Sequence, residues 1–243
     1  MTVTSSKLDY SVCKESNREA IPVIIVAAGN SSRMGGEDKQ LISVAGVPVI
    51  ARTLMSFERS PFISRIILVT RERSIPGIQL IAEKYFISKL SDITVGSDTR
   101  QESVVCGIER LSPNENKVLV SDGARMFVTG RMIEDCVKAL LKHDGCLCAV
   151  KVYDTVKSVE GDSVKQTIDR NGLYLAQTPQ GITVSLYKKA MKNADLSLFT
   201  DDASVLESVG ADVVTVNGDR KNIKITTPED IALAEVLVKG EVN

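Results

Sequence analysis

Two cations follow a run of small residues in the amino-terminal part of the chain. In "AAGNSSRMGGEDKQ", Arg33 and Lys39 lie six residues apart and after Gly29. Small residues let backbone N–H groups approach an anion closely. Arg offers a planar fork to phosphate oxygens, and Lys offers a compact charge. The segment therefore predicts a loop around a triphosphate, in which the cations stabilise charge on a phosphorus atom under attack. Taken alone, the pair could equally be solvated surface charges.

Two well-known phosphate-binding loops do not fit this segment. A dinucleotide-binding fingerprint needs the pattern G-x-G-x-x-G, of which only Gly29 is in place. A Walker loop needs Ser or Thr directly after its Lys, but Gln40 follows Lys39. What remains is a phosphate loop of another kind, which carries two cations.

A carboxylate ends the predicted strand "KVLVSD", at Asp122. A carboxylate in that place can hold a magnesium ion that also bridges phosphates, because Mg²⁺ keeps few protein ligands. It can also simply cap a turn. The sequence has one histidine, His143, so serine–histidine catalysis and histidine-rich metal sites have little support.

Short apolar runs alternate with helical patterns from residue 22 onward. This alternation predicts a three-layer α/β fold with a mostly parallel sheet. The predicted strands are 22–28, 65–70, 93–96, 117–122, 145–152 and 212–218, and the predicted helices are 48–58, 75–86, 99–111, 129–143, 183–193, 201–210 and 228–239. Because ligands of such sheets bind outside the carboxyl ends of the strands, we expect the loops after Ala27, Gly96 and Val120 to form the site.

The pattern changes between residues 153 and 175. This stretch is polar, and it has turn signals at Gly161–Asp162 and Asn171–Gly172 between short strand-like pieces. It predicts a β-rich arm that leaves the main sheet.

The composition limits the classes of function. The chain has 243 residues, 43% of them hydrophobic, and a net charge of −1, which argues against binding to nucleic acid or to an anionic membrane. We expect a disordered extension at residues 1–20 and one domain at 21–243. No segment resembles a signal peptide or a membrane span, so we expect a cytoplasmic protein. Its cysteines lack metal-ligand spacing, and we expect the following ones to be reduced and mostly buried: Cys106, Cys136, Cys146 and Cys148.

A series of motifs extends over residues 22–239. In chain order these are "AAGNSSRM", "KQ", "GSDTRQESV", "SDGARMFV", "DTVK", "TIDRNGLYLAQTPQ", "TDDASVLE" and "NIKITTPEDIALAE". Together they resemble the 2-C-methyl-D-erythritol 4-phosphate cytidylyltransferases of non-mevalonate isoprenoid synthesis. The first motif is shared by many sugar-phosphate nucleotidyltransferases, whereas "DTVK" and "TIDRNGLYLAQTPQ" are more particular. Two alternatives stay open: a ribitol-5-phosphate cytidylyltransferase, and a non-catalytic nucleotide-binding homologue.

The resemblance implies a fold and an activity. Members of this family have a Rossmann-like nucleotidyltransferase domain, with a β-arm that interlocks two subunits of a homodimer. They transfer a cytidylyl group from CTP to the phosphate of methylerythritol phosphate and release pyrophosphate, with Mg²⁺ or another divalent cation. The arm would correspond here to about residues 153–175.

The resemblance also implies roles for single residues. Arg33 and Lys39 would stabilise the transition state, and Arg170 and Lys224 would position the substrate phosphate. The nucleotide contacts would be Ala27, Ala28, Gly29, Ser97, Asp98 and Ser103. The substrate contacts would be Asp122, Arg125, Thr155, Thr178 and Thr200, with Asp122 also binding the metal.

Overall fold

The computed structural model describes residues 19–29, 41–192 and 199–240. The predicted catalytic residues Arg33 and Lys39 lie outside these described residues, as does the predicted extension apart from residues 19 and 20.

Strands and helices alternate through the described residues. The strands are β1 (Ile21–Val26), β2 (Ser43–Val44), β3 (Val47–Pro48), β4 (Ile63–Thr70), β5 (Leu90–Val95), β6 (Lys117–Asp122), β7 (Gly145–Lys151), β8 (Val156–Glu160), β9 (Ser163–Ile168), β10 (Tyr174–Thr183) and β11 (Val213–Asn217). The helices are α1 (Val49–Glu58), α2 (Ile75–Lys84), α3 (Arg100–Ile108), α4 (Gly130–Leu140), α5 (Val184–Met191), α6 (Asp202–Glu207) and α7 (Pro228–Gly240). Pro48, predicted in the first turn of α1, instead precedes the helix with extended backbone at the end of the β2–β3 hairpin.

The main sheet confirms the predicted mostly parallel arrangement. Among the described residues it has the order β11-β7-β10-β6-β1-β4-β5. Neighbouring strands are parallel except where β10 pairs with β6 and β7. The register places Val26 of β1 beside Val69 of β4 and beside Asp122 of β6. The carboxyl ends of these three strands therefore meet at one edge of the sheet.

Apolar side chains on both faces of the sheet build the three layers. Along β1, Val23 and Ile25 pack with α1, α2 and α4, whereas Ile24 packs on the other face with α3, α5 and α6. This alternation follows from the two-residue period of a strand, and burial on both faces explains the continuous apolar run of β1. A third cluster joins α7 to Val44 of the β2–β3 hairpin and to Ala124 after β6.

The polar stretch predicted as an arm contains a separate hairpin. β8 and β9 pair with each other antiparallel, and Gly161 between them has φ of 57°, in the left-handed region that favours glycine. Most of their side chains are exposed.

Two further expectations concern cysteines and membranes. Cys136, Cys146 and Cys148 are buried free thiols and Cys106 is half-buried, which agrees with the expected burial. Within the described residues, no helix has the length and apolar character needed to cross a membrane.

Candidate functional site

A cavity of about 630 Å³ opens at the carboxyl edge of the sheet. Its walls come from the turn after β1, the loop between β5 and α3, the end of β6 and the segment before α7. This volume lies within the range of small-molecule sites in proteins. The structure brings the following predicted site residues to its lining: Ala28, Gly29, Ser97, Asp98, Ser103, Asp122 and Lys224.

The turn after β1 is held from the end of the neighbouring strand. Ala27 N–H donates to the Val69 carbonyl of β4 at 2.7 Å. Arg71, which directly follows β4, donates from Nε to the Ala28 carbonyl at 3.2 Å and from a second nitrogen to the Gly29 carbonyl. Arg71 therefore fixes the backbone of the turn that borders the cavity.

Ser103 holds the loop that enters α3. Its hydroxyl accepts a hydrogen bond from Ser97 N–H at 3.0 Å and lies 2.9 Å from the Thr99 carbonyl, to which it can donate. Thr99 and Glu102 close the loop further, because each side chain accepts a hydrogen bond from the backbone N–H of the other, which is a capping box. The geometry thus gives Ser103 a role in shaping a loop whose residues line the cavity.

Asp122, at the end of β6, is surrounded by cations. Its Oδ1 lies 3.2 Å from Arg100 Nε, and its Oδ2 lies 2.8 Å from Lys224 Nζ and 3.7 Å from Arg125 Nε. Burial by itself would raise the pKa of the Asp122 carboxyl. The charges of Arg100 and Lys224 outweigh burial and hold this pKa well below its usual range, so Asp122 is a carboxylate at neutral pH.

Arg100 also binds a second carboxylate. Its Nη2 lies 2.7 Å from Asp202 Oδ2, on a side chain that is 0% exposed. Burial by itself would lower the pKa of Arg100, but Asp202 and Asp122 together raise it above its usual value. Arg100 and Lys224, which both line the cavity, place positive charge beside Asp122 at its β6 end, where an anionic group can meet it.

The segment with Lys224 is fixed beside β6. Arg125 Nη1 donates to the Asn222 carbonyl at 2.6 Å, and Ile225 N–H donates to the Ala124 carbonyl at 2.9 Å. These two bonds hold Lys224 between them at the cavity.

Thr178, a predicted substrate contact, lies behind Asp122 rather than among the cavity-lining residues. Its side chain is buried, and its Oγ1 accepts a hydrogen bond from Asp122 N–H at 3.0 Å. This contact fixes the backbone at the strand end.

Six of the described predicted site residues are not among the lining residues. Ala27, Arg125 and Thr178 adjoin the lining through Ala28, Ala124 and Asp122, whereas Thr155, Arg170 and Thr200 do not. Thr155 and Arg170 are exposed and flank the β8–β9 hairpin, where Arg170 donates to the Tyr153 carbonyl. Thr200 is exposed just before α6. The chain's own fold therefore does not bring the arm residues to the cavity that contains Lys224.

The residues around Asp122 do not form a metal centre by themselves. Within the described part of the chain, no three His, Cys, Asp or Glu side chains are placed to hold a metal ion together. Both carboxylate oxygens of Asp122 already contact cations. A divalent cation in this cavity would therefore depend mainly on phosphate and water oxygens.

The sequence matches one enzyme family along nearly its whole length. The profile of the 2-C-methyl-D-erythritol 4-phosphate cytidylyltransferase family matches residues 21–240. The chain belongs to this family. The resemblance found in the motifs is thereby confirmed, and the family is one of nucleotidyltransferases.

Individual cytidylyltransferases support the same assignment. A relative from Bacillus mycoides bearing the family's name is 43% identical over 216 residues, which cover 88% of this chain and 95% of the relative. One from Halalkalibacterium halodurans is 41% identical over 219 residues, covering 89% and 96%. The crystal structure of 4-diphosphocytidyl-2C-methyl-D-erythritol synthase from Anaerococcus prevotii superposes with a TM-score of 0.79 at 34% identity, covering 91% of this chain and 96% of that one.

Sequence reasoning missed three residues that shape this cytidylyltransferase site, namely Arg71, Arg100 and Asp202. Arg71 has a positional signal, since it directly follows a strand at the carboxyl edge of the sheet. Arg100 has a second kind of signal. It is a cation in the first turn of a helix, where the helix dipole favours acidic residues, so its position is locally unfavourable. Asp202 could not be found from its local pattern, in which it resembles an ordinary first-turn acid.

Proposed function

We propose that this protein transfers a cytidylyl group from CTP to 2-C-methyl-D-erythritol 4-phosphate. A bond forms between an oxygen of the substrate phosphate and the α-phosphorus of CTP, the bond from that phosphorus to the oxygen bridging to the β-phosphate breaks, and pyrophosphate leaves. The main support for this proposal is one cavity, which Lys224 and Asp122 share with the Ala28–Gly29 turn and the loop 97–103. The chain that forms this cavity belongs to the cytidylyltransferase family.

This chemistry needs no proton-abstracting base. The attacking oxygen belongs to a phosphate that is already anionic near neutral pH, so the rate depends on positioning and electrostatic stabilisation. We assign Arg33 and Lys39 to the charge that develops at the α-phosphate, and Arg170 and Lys224 to the attacking phosphate. The 2.8 Å contact between Lys224 and Asp122 supports the role of Lys224, because it fixes the ammonium group at the cavity.

The nucleotide is assigned to the side of the cavity formed by the turn after β1 and by the loop into α3. Residues of both segments line the cavity, and hydrogen bonds from Arg71 and to Ser103 hold the segments in place. In this proposal Ser103 acts through the loop, while Ser97 and Asp98 face the nucleotide. The assigned contacts are Ala27, Ala28, Gly29, Ser97, Asp98 and Ser103.

The substrate is assigned to the Asp122 side of the cavity. Arg125 contributes by holding the Asn222 backbone, and Thr178 by holding that of Asp122. Thr200 stands beside the buried start of α6. Thr155 and Arg170 complete the pocket from the arm.

Mg²⁺ is assigned to the triphosphate of CTP. When bound, it would neutralise phosphate charge and act as a Lewis acid. Because the Asp122 oxygens are already engaged by cations, we assign no step to the metal. Direct ligation by Asp122 stays a prediction.

A homodimer with exchanged arms would bring Thr155 and Arg170 to the second subunit's cavity. The exposed position of both residues outside their own chain's cavity supports this arrangement. The arm region also exposes large apolar side chains that a second copy could cover, namely Tyr153, Val159, Val164, Tyr174 and Leu175. Free buried thiols are typical of a reducing compartment, which supports a cytoplasmic location.

The proposed activity is tested by pyrophosphate release with CTP and Mg²⁺. Methylerythritol phosphate and ribitol 5-phosphate are compared at equal concentrations, with calorimetry for CTP binding. Fast release with methylerythritol phosphate alone is expected. A preference for ribitol 5-phosphate would overturn the substrate, and tight CTP binding without release from either would overturn the activity.

A further inference from the structure

Arg100 connects two carboxylates that belong to different parts of the fold. Its Nε lies 3.2 Å from Asp122 Oδ1, at the end of β6, and its Nη2 lies 2.7 Å from Asp202 Oδ2, at the start of α6. Arg100 is the first residue of α3, where a cation opposes the helix dipole. A residue that breaks a local rule in this way is explained by its tertiary contacts, and here those contacts lead into the site.

Asp202 is held in place by contacts that do not involve Arg100. Its Oδ1 accepts a hydrogen bond from the Tyr187 hydroxyl at 3.3 Å, and its backbone N–H donates to Gln180 Oε1 at 3.0 Å. The side chain is 0% exposed. Since Asp202 is fixed by α5 and β10, it defines where one edge of the Arg100 guanidinium must lie.

The other edge of the guanidinium decides how Asp122 is turned. Oδ1 of Asp122 faces Arg100, and Oδ2 is therefore left to face Lys224 at 2.8 Å. Asp122 N–H is held separately by Thr178 Oγ1, so the backbone position and the side-chain orientation have different supports. The chain of contacts runs from Asp202 through Arg100 and Asp122 to Lys224.

We propose that Arg100 is a positioning residue, which orients the Asp122 carboxylate toward Lys224 and ties it to the α6 start beside Thr200. This inference rests on the proposed function, because Lys224 is the group assigned to the attacking phosphate. Arg100 supplies both contacts from one planar fork, which an ammonium group cannot reproduce.

A simpler role would be to neutralise the buried Asp202 carboxylate. Removing Arg100 leaves that charge unpaired, and such a change destabilises a protein strongly. Arg100→Met alone would therefore lose stability under either role. The double variant Arg100→Met/Asp202→Asn separates them, because the neutral amide no longer needs a cation and can still pair with Tyr187, whereas Asp122 stays without its orienting partner.

The experiment measures the melting temperature, kcat, and the KM values for CTP and methylerythritol phosphate. The double variant should recover most of the melting temperature lost by Arg100→Met. Its kcat should stay below wild type by up to about 100-fold, the scale of misplacement effects, with a smaller change in the KM for CTP. The kcat of Arg100→Lys should lie between that of the double variant and that of wild type. Wild-type kcat in the double variant would overturn the proposal.

A second readout does not depend on substrate turnover. The acetylation rate of Lys224 by N-hydroxysuccinimidyl acetate is followed by peptide mass spectrometry, with Asp122→Asn as the reference for a broken pair. In the double variant the rate should rise toward that reference, and a wild-type rate would overturn the proposal. If the wild-type protein released no pyrophosphate, only the proposed function would fail, and this rate would still decide the role of Arg100.

Arg65→Met is the matched control. Arg65 also bridges two carboxylates, Asp92 and Glu115, and its side chain is 22% exposed, as is that of Arg100. It lies near the start of β4, at the opposite end of the strand from the cavity. Its loss should lower the melting temperature but leave kcat and the acetylation rate of Lys224 unchanged.

Discussion

Lys39 is expected to act on the transition state more than on bound CTP. Removing one preorganised charge contact typically lowers the rate by about 100- to 1,000-fold, and Lys39→Ala should lower kcat by this amount. The Kd for CTP should rise much less, because the developing charge exists only during transfer. Pyrophosphate-release kinetics and calorimetry with CTP measure the two effects separately.

Lys138→Ala provides the comparison for Lys39→Ala. Lys138 is exposed on α4 and pairs with Glu134 within that helix, so its loss should leave both kcat and CTP affinity unchanged. Equal losses of affinity and turnover in Lys39→Ala would instead mean that Lys39 serves only ground-state binding.

Glu115 predicts a pH-dependent contribution to stability. The hydrogen bond from Arg65 is the main cause that holds the pKa of Glu115 below its ordinary value of 4.5. Because the folded-state pKa is depressed, the unfolded chain binds more protons at acid pH, and the stabilisation is present above about pH 4.5 and lost as the pH falls below it. Glu115→Gln should lower the melting temperature at pH 7 by about 2–4 °C, as for a loss of about 1 kcal/mol.

Melting curves of wild type and Glu115→Gln between pH 3 and pH 8 would test this linkage. The difference in melting temperature between the two proteins should become smaller as the pH is lowered. A difference that stays constant across this range would show that the carboxylate charge is not its source.

At the scale of elements, Gly96 lets the end of β5 approach the turn after β1. A Cβ added there would lie 2.5 Å from Ala28 Cβ and 2.8 Å from Ser103 Oγ, so Gly96→Ala must push apart the two cavity-lining segments that we assign to the nucleotide. Such overpacking costs about 1–3 kcal/mol, and we expect a lower melting temperature and a Kd for CTP raised by roughly tenfold. Thermal melting and calorimetry give both values.

Gly130→Ala is the matched control for Gly96→Ala. Gly130 is the first residue of α4, and nothing lies within 4 Å of an added Cβ. Its substitution should change neither value by much. Wild-type CTP affinity in Gly96→Ala would mean that the close approach is not needed for nucleotide binding.

The elements also show what local sequence can predict. β6 occurs at the predicted residues 117–122, because strands on both sides bury it and keep its apolar pattern strong. β5, predicted at 93–96, begins at Leu90 instead; as an edge strand it is half-exposed, and its pattern is weaker. Arg100 and Asp202 are 102 positions apart, so their contact is set by how α3 and α6 pack on the sheet and not by any local motif.

At the scale of the whole molecule, the arm predicts that one site uses two chains. Thr155 and Arg170 are exposed on the arm and lie outside the cavity lined by their own Lys224. If the partner's cavity receives them, a dimer of one Lys39→Ala chain and one Arg170→Ala chain has one intact site, made by Lys39 of the second chain and Arg170 of the first. Each variant alone has none.

Mixing the two inactive variants therefore should restore activity. With free subunit exchange, about a quarter of the wild-type activity should return, because half of the dimers are mixed and each mixed dimer has one working site of two. Lys39→Ala mixed with Lys224→Ala is the matched control, because both residues are assigned to the same chain's site and no mixed dimer regains an intact one. If exchange is verified by mass spectrometry of the dimers and neither mixture recovers activity, Arg170 acts within its own chain, and the arm serves only to join the subunits.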